Sequence, residues 1–409
     1  MGAAPLDPAR IDERFAAAHA RLRTIATTGT NGKTTTTSMV AAIVAAAGER
    51  SARVTTVGAW VDDELIPAPT PTDEFLATVE RAVAVGVRTL ALEVTSKALA
   101  GGIAKRWQPH VGVFTNLTRD HLDYHGTPEA YLAAKAQLFM ALAPGQTAVL
   151  NADDPATALL REVIAPGVAI ATYSVRDADA TLVARTVEVA PGQTRVRLQS
   201  SSLAAALGGE LVLAISGGVH AQNALAAALA AHAAGYSPDA IRHGLERFGG
   251  VAGRFERVGE RPLVVVDYAH TPDGLVGTLA TARELCRAPG RVICVFGCGG
   301  DRDRGKRPQM GEVVDARADL AILTTDNPRH EDPAAIAADV RAGVPAPRAQ
   351  WIEELDRARA IERAIAEAGP DDVVVIAGKG HEQVQEIRGV EHPFSDVDVA
   401  RAAIARRRI

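Results

Sequence analysis

The chain alternates between short, almost continuously apolar runs and longer stretches with helical spacing. RTIATT, residues 23–28, is a β-rich run ending at Gly29, and a helical stretch follows from about Lys33 to Ala47. ARVTTVG, TLALEVT, VGVFTNL and TAVLNA are further strand-like runs, with helical EFLATVERAVAVG and PEAYLAAKAQLFMAL among them. Near-continuous apolar strands separated by amphipathic helices predict a mainly parallel sheet covered on both faces. Residues 176–215 break this rhythm. There ATLVARTVEVAPGQTRVRLQ alternates apolar and polar positions around PGQT, which predicts an antiparallel hairpin appended to the sheet. Helical VHAQNALAAALAAHAAG and DAIRHGLERFGG come next, and Gly249, Gly250 and Gly253 then mark a linker. Beyond it PLVVVDYA, RVICVFG, LAILTTD and DVVVIAG are strands, each followed by a helical stretch, and ARAAIARRR closes the chain as a helix.

Composition narrows the class. At 409 residues the chain exceeds the roughly 250–300 residues of a single core, so two or three domains are expected. Hydrophobic residues make up 47% and charged residues 23%, which excludes a mainly disordered chain. No apolar run is long enough for a membrane helix, and MGAAPLDPARIDER has no secretory h-region. A net charge of −5 and 4% aromatics argue against a nucleic-acid surface. Arg406, Arg407 and Arg408 form the only basic cluster, which reads as a solvated helix end. Cys286, Cys294 and Cys298 include no CxxC pair, so neither a disulfide framework nor a zinc site is expected, and the expected compartment is the reducing cytoplasm.

Thr28-Gly29-Thr30-Asn31-Gly32-Lys33-Thr34-Thr35 lies where a strand ends and a helix begins, the context of a phosphate-binding loop. Glycines let backbone N–H groups curl around phosphate oxygens, and the helix N-terminus adds positive potential. Lys33 is placed to reach the terminal phosphates and the Thr34 hydroxyl to ligate Mg²⁺. Thr27 stands where the full pattern has its first glycine. The expected fold is thus α/β: a P-loop-type central domain with a mainly parallel sheet, over residues 24–251, and a Rossmann-like C-terminal α/β domain over 252–409. A short N-terminal extension covers 1–23.

Three further residues are ambiguous taken singly. Glu93 ends the strand TLALEVT, on the side where such sheets bind ligands. It reads either as a metal contact or as an exposed strand-end carboxylate. His121 follows VFTNLTRD and reads either as a ligand or as a structural histidine. Lys135, in YLAAKAQLF, reads by itself as a snorkelling surface lysine.

The order of the motifs decides among these readings. The phosphate loop, LEVTSKAL, VFTNLTRDHLDYHGTPEAYLAAKAQLF, NADD, GRFERV, VDYAHTPDGL, FGCGGDRDRGKRP, DNPRHEDP and AGKGHE span residues 24 to about 400. This succession resembles the Mur ligase family, and within it the MurE type. The resemblance implies ATP-dependent amide ligation through an acyl phosphate, with ATP and Mg²⁺ as cofactors. It implies Lys33, Glu93, His121 and Lys135 as catalytic residues, the last carbamylated, and Thr34, Glu93, His121 and Lys135 as the metal set. Gly29 to Thr35, Asn223, Arg254 and Asp267 would bind ATP, although for Arg254 and Asp267 an interdomain salt bridge stays open. DNPR accompanies meso-diaminopimelate in MurE-type enzymes, its arginine meeting the distal carboxylate. The amino-acid contacts implied are Arg302, Asp326, Asn327, Arg329, Gly378 and Glu382. Without that role, Arg329 would pair with Glu331 or Asp332 at a helix entry.

A short N-terminal segment and two positions depart from the family besides Thr27. About 23 residues precede the first strand, too few for the family's UDP-binding domain, so an acceptor without UDP is an expectation. Lys97 and His220 replace a histidine and an asparagine of the family pattern. The expected acceptor is a muramoyl-dipeptide-like carboxylate. The alternative is a ligase of the same superfamily acting outside peptidoglycan, on polyglutamate, cyanophycin-like or natural-product peptides. Small-molecule substrates, no nucleic acid, no membrane and a monomeric state complete the expectation.

Overall fold

The computed structural model describes residues 8–68 and 70–407. The first seven residues of the expected N-terminal extension, and Arg408 of the terminal basic cluster, lie outside them. The architecture is α/β, as the pattern predicts. The larger sheet has 11 strands. Its parallel middle runs in the order Ser51–Thr55, Thr89–Glu93, Arg23–Thr28, Val111–Phe114, Thr147–Asn151 and Ala169–Ser174. The chain starts at the centre, fills one side and then the other. The C-terminal end of Arg23–Thr28 is therefore the switch point where a ligand crevice opens.

Leu182–Ala190 and Gln193–Leu198 form the predicted hairpin, and Glu210–Leu213 extends it by one antiparallel strand. Strands Gly58–Val61 and Glu64–Leu65 close the opposite edge, also antiparallel. Helix Lys33–Ala46 covers one face, packed against helices Val219–Ala233 and Pro238–Glu246. These helices approach closely because their contact residues are small. A Cβ on Gly244 would lie 2.5 Å from Ile43 Cα. On the other face Phe15, from helix Pro8–His19, stacks on Phe75 and meets Trp107 edge-on.

The smaller sheet has six strands, in the order Glu256–Glu260, Leu263–Asp267, Val373–Ala377, Val292–Phe296, Leu320–Leu323 and Gln350–Glu353. All pairings except the first are parallel. Every residue of Val292–Phe296 and Val373–Ala377 is buried, which explains their unbroken apolar sequence. A two-stranded ribbon, Val384–Ile387 with Val390–Pro393, stands apart from this sheet.

One capping device recurs. Thr70-Pro71, Thr127-Pro128, Ser237-Pro238, Thr271-Pro272 and Asp332-Pro333 each begin a helix. In each pair the first side chain accepts a hydrogen bond from an otherwise unpaired backbone N–H of the first turn, while proline pre-sets the helical φ. Two of these helices, Pro128–Met140 and Pro272–Leu285, flank the crevice. The terminal arginines are less free than the sequence suggests: Arg406 pairs with Glu362, and Arg407 donates to the Ile365 and Ala368 carbonyls.

Candidate active site

Strand register builds the site. Thr27 pairs with Glu93 and Thr28 with Phe114, so the phosphate loop leaves the sheet between Glu93 and the segment 115–118. That segment pins the loop. Thr30 N donates to the Asn116 carbonyl at 2.8 Å, Asn31 N to Asn116 Oδ1 at 2.8 Å, and Thr115 Oγ1 to the Asn31 carbonyl at 2.6 Å. Gly29, at φ 153°, could carry no side chain, because a Cβ there would lie 1.8 Å from Thr115 Oγ1. Gly32 caps helix Lys33–Ala46 in the left-handed region, under Asn223 Oδ1. Asn223, expected to bind ATP, thus lies directly on the phosphate loop.

Thr34 Oγ1 donates to Glu93 Oε2 at 2.8 Å. Lys33 Nζ stands 3.8 Å from Glu93 Oε1 and donates to the Thr30 carbonyl. Burial lowers the Lys33 pKa, with Glu93 opposing. A hydroxyl and a carboxylate side by side at a phosphate loop are the hard oxygen donors that Mg²⁺ takes, so these residues fit that ion. Among the described residues no cluster of three His, Cys, Asp or Glu side chains could hold a metal by itself.

Lys135 is fully buried rather than snorkelling. Its Nζ donates to the Gly29 carbonyl at 2.5 Å and lies 4.2 Å from the centre of the Tyr131 ring. Burial, reinforced by Lys33, pushes its pKa well below the ordinary value. The His121 ring is 6.2 Å from the same Tyr131 ring. Burial holds His121 down to about 4, so it is neutral at pH 7 and can offer a lone pair. No hydrogen bond joins His121 to Thr34 or Glu93 among the described residues; its charged neighbour is Asp120, 3.5 Å away.

Asp120 was not singled out by the sequence, yet it links the two halves of the crevice. His270 Nε2 at 3.6 Å and Lys306 Nζ at 3.7 Å reach it from the smaller-sheet unit. Burial disfavours its charge, but His270, Lys306 and His121 outweigh that and hold the carboxyl well below the usual range. Arg119, its neighbour, makes a two-pronged ion pair with Asp303. Asn31 Nδ2 donates to Asp273 at 3.1 Å, and Arg254 Nη2 to Thr34 Oγ1 at 3.3 Å. TRDH, DYAH and GKRP were visible as motifs, but which of their residues meet is a tertiary fact.

Asp267 faces inward instead. Its carboxylate accepts from Phe255 N, Ala269 N and Thr278 Oγ1, and among the described residues neither it nor Arg254 makes the interdomain salt bridge left open above. Arg254 stacks over Tyr268, 4.2 Å from the ring centre. Gly253 touches the 378–382 loop backbone to backbone: a Cβ there would lie 2.1 Å from His381 N.

The expected amino-acid contacts gather in one place. Asn327 Nδ2 donates to Glu382 Oε2 at 2.9 Å, and Asp326 Oδ2 lies against Gly378. Arg329 and Arg302 both pack over Gly299. Arg302 is exposed, with Asp123 at 4.0 Å across the crevice as its carboxylate neighbour. Arg329 pairs with neither Glu331 nor Asp332. Its Nε lies 3.0 Å from Glu386 Oε2, while Glu331 takes Arg304 and Arg307. Lys379 is a residue the sequence reading missed. It is wholly buried, and its Nζ donates to Asn327 Oδ1 at 2.9 Å and Glu382 Oε2 at 2.8 Å.

Comparison with known proteins places this geometry. The Mur ligase middle domain matches residues 27–231, and the Mur ligase glutamate ligase domain matches residues 253–380. The chain belongs to the Mur ligase family. The UDP-N-acetylmuramoyl-L-alanyl-D-glutamate–2,6-diaminopimelate ligase of Ectopseudomonas mendocina is 43% identical over 395 residues, covering 94% of this chain and 78% of that protein. The ligase of the same name from Geobacillus kaustophilus is 42% identical, covering 95% and 80%. A solved structure of a ligase of that name superposes with a TM-score of 0.65 at 34% identity, over 97% of this chain and 84% of the other. Mycobacterium tuberculosis folylpolyglutamate synthase shares the fold, with a TM-score of 0.72 at 20% identity over 97% and 94%. As a Mur ligase the protein is an ATP-dependent, amide-forming enzyme.

Proposed function

We propose that the protein joins meso-diaminopimelate, through an amide bond, to a carboxylate of a muramoyl-L-alanyl-D-glutamate acceptor, with conversion of ATP to ADP and phosphate. The observation that carries this reading is the joint placement of Asn327, Arg329 and Glu382 on adjoining loops beside the crevice. An arginine and a glutamate can there meet the carboxylate and the ammonium at the distal end of one amino acid. The names of the relatives support the same substrate class.

The acceptor carboxylate would attack the γ-phosphate, giving an acyl phosphate and ADP. The amine of the incoming amino acid would then attack the acyl carbon and release phosphate. Lys33 and the loop N–H groups orient and neutralise the phosphates, so most of the catalysis is positioning and electrostatics. Mg²⁺, when bound at Thr34 and Glu93, would offset triphosphate charge. Neutral His121 would offer a lone pair, and a carbamate on Lys135 would offer anionic oxygens beside it. A neutral buried amine is the form of lysine that captures CO₂. Contacts from Arg254, His270 and Lys306 close the crevice and exclude water from the acyl phosphate.

The test is ATP-dependent phosphate release across a matrix of acceptors and amino acids. Meso-diaminopimelate should outperform L-lysine, and Arg329→Ala should raise its KM by roughly tenfold or more, as expected for a charge-assisted hydrogen bond. Lysine outperforming diaminopimelate in the unmodified enzyme would overturn the substrate assignment.

A further inference from the structure

The ribbon Val384–Ile387/Val390–Pro393 has no place in either large sheet, yet it is fastened to the loop that carries Asn327 and Arg329. Residue 386 makes three of the connections. Glu386 N donates to Asn327 Oδ1 at 3.0 Å, and the Glu386 carbonyl accepts from Arg329 N at 3.1 Å. Its carboxylate lies 3.0 Å from Arg329 Nε. Arg388 N returns a hydrogen bond to the Arg329 carbonyl at 2.6 Å, so the backbone is gripped from both sides. Arg329 needs this grip, because it sits at φ 50°, a left-handed conformation that residues with side chains rarely adopt.

The guanidinium is held at two points. Glu386 forms an ion pair at the Nε edge, Oε2 to Nε 3.0 Å, and the Gly300 carbonyl accepts a hydrogen bond from Nη1 at 2.8 Å. Gly299 lies beneath it and leaves it room, since a Cβ there would come within 3.1 Å of Nη1. What remains for a ligand is Nη2 and the second hydrogen of Nη1, the outer end of the fork. The guanidinium is planar and carries five donors, so an ion pair at its Nε edge and a hydrogen bond from Nη1 set the direction of the rest.

From this geometry we infer that Glu386 is a positioning residue for amino-acid selection: it aims the outer end of the Arg329 guanidinium at the distal carboxylate of the incoming amino acid. The inference rests on the reading of Arg329 given above. Glu386 touches Arg329 and Asn327 from the ribbon, outside the run Asp326 to Arg329. The amino-acid preference thus depends on a segment that the DNPR motif does not include.

The experiment measures kcat/KM for meso-diaminopimelate and for L-alanine, which lacks the distal carboxylate, in the full-length enzyme with ATP and acceptor. Glu386→Ala should lower the diaminopimelate-to-alanine ratio by about tenfold, chiefly through the KM for diaminopimelate. Glu386→Gln keeps an acceptor for Nε and should restore most of the ratio. An unchanged ratio in Glu386→Ala overturns the proposal, and so does an equal loss with both amino acids, which marks a merely structural role. A rise in the ratio also overturns it, because Glu386 would then compete with the substrate for Arg329. Arg329→Ala, measured alongside, separates the two levels of inference. If it leaves the ratio unchanged, the reading of Arg329 itself fails; if it collapses the ratio while Glu386→Ala does not, only the role of Glu386 fails.

Discussion

Single residues here take their chemistry from burial. Lys135 reads from sequence as a surface lysine, because one lysine among alanines and leucines on a helix usually reaches solvent. Only the packing of helix Pro128–Met140 under Gly29 shows that it does not. Its lowered pKa, which favours the amine form that captures CO₂, sets up a direct test. Lys135→Ala should lower ligation by at least about a hundredfold while ATP binding through Lys33 persists, and added formate should recover part of the rate by presenting oxygens in the vacated space. Near-normal turnover of Lys135→Arg, whose charge is permanent, would refute the carbamate. His220 is the second case. It is buried, its Nδ1 finds no partner among the described residues, and burial holds its pKa down to about 4. A histidine that stays neutral when folded but protonates near pH 6.5 when unfolded contributes stability that is complete above pH 6.5. That stability drains away as pH falls toward 4. The loss should reach about 2 kcal/mol by pH 5. His220→Leu should therefore flatten the fall in urea midpoint between pH 7 and pH 5, and an unaltered slope would count against the assignment.

At the scale of elements, hydrophobic pattern identified the long strands and helices around the site, but not the short helices Ser96–Ala100 and Leu122–His125 or the ribbon Val384–Ile387/Val390–Pro393. The reason is physical: strands buried on both faces have little choice but Val, Ile, Leu and Ala, and loop-to-helix junctions are marked by cap-and-proline pairs. Closeness of approach was not legible. Gly244 looks like an ordinary helical glycine, yet it is where helix Pro238–Glu246 crosses the phosphate-loop helix, with Ile43 N 2.7 Å from where its Cβ would stand. Gly244→Ala should force the two helices apart and cost about 1–3 kcal/mol, read as a lowered thermal midpoint with a raised KM for ATP. A variant at least as stable as the parent would show that the helices can separate without penalty. Lys379 was hidden for a related reason. GKGHE draws attention to its glycines and its glutamate, while the lysine between them reaches Asn327, 52 positions earlier in the chain, in a contact no spacing rule encodes.

For the whole molecule, the motifs named the family of the site but not how its halves meet. Several contacts across the crevice are polar or ionic, Arg119 with Asp303, Asp120 with His270 and Lys306, Asn31 with Asp273 and Arg254 with Thr34, while Val189 and Val219 pack against the smaller-sheet unit beside them. Exposed ion pairs weaken as salt shortens the Debye length from about 10 Å at 0.1 M toward about 3 Å at 1 M. The KM for ATP should therefore rise with ionic strength, and Asp303→Asn should make that dependence shallower. A salt response identical in the variant and the parent would mean that this pair does not hold the units together. Gly253 carries the argument one step further. The linker rests on the backbone of the 378–382 loop with no side chain between to absorb movement, so rotation about the linker must displace the loop that carries Gly378 and Glu382. With Gly378 and Glu382 as the proposed amino-acid contacts, such a joint would make nucleotide and amino acid thermodynamic effectors of one another: whatever factor ATP contributes to amino-acid affinity, the amino acid must return to ATP.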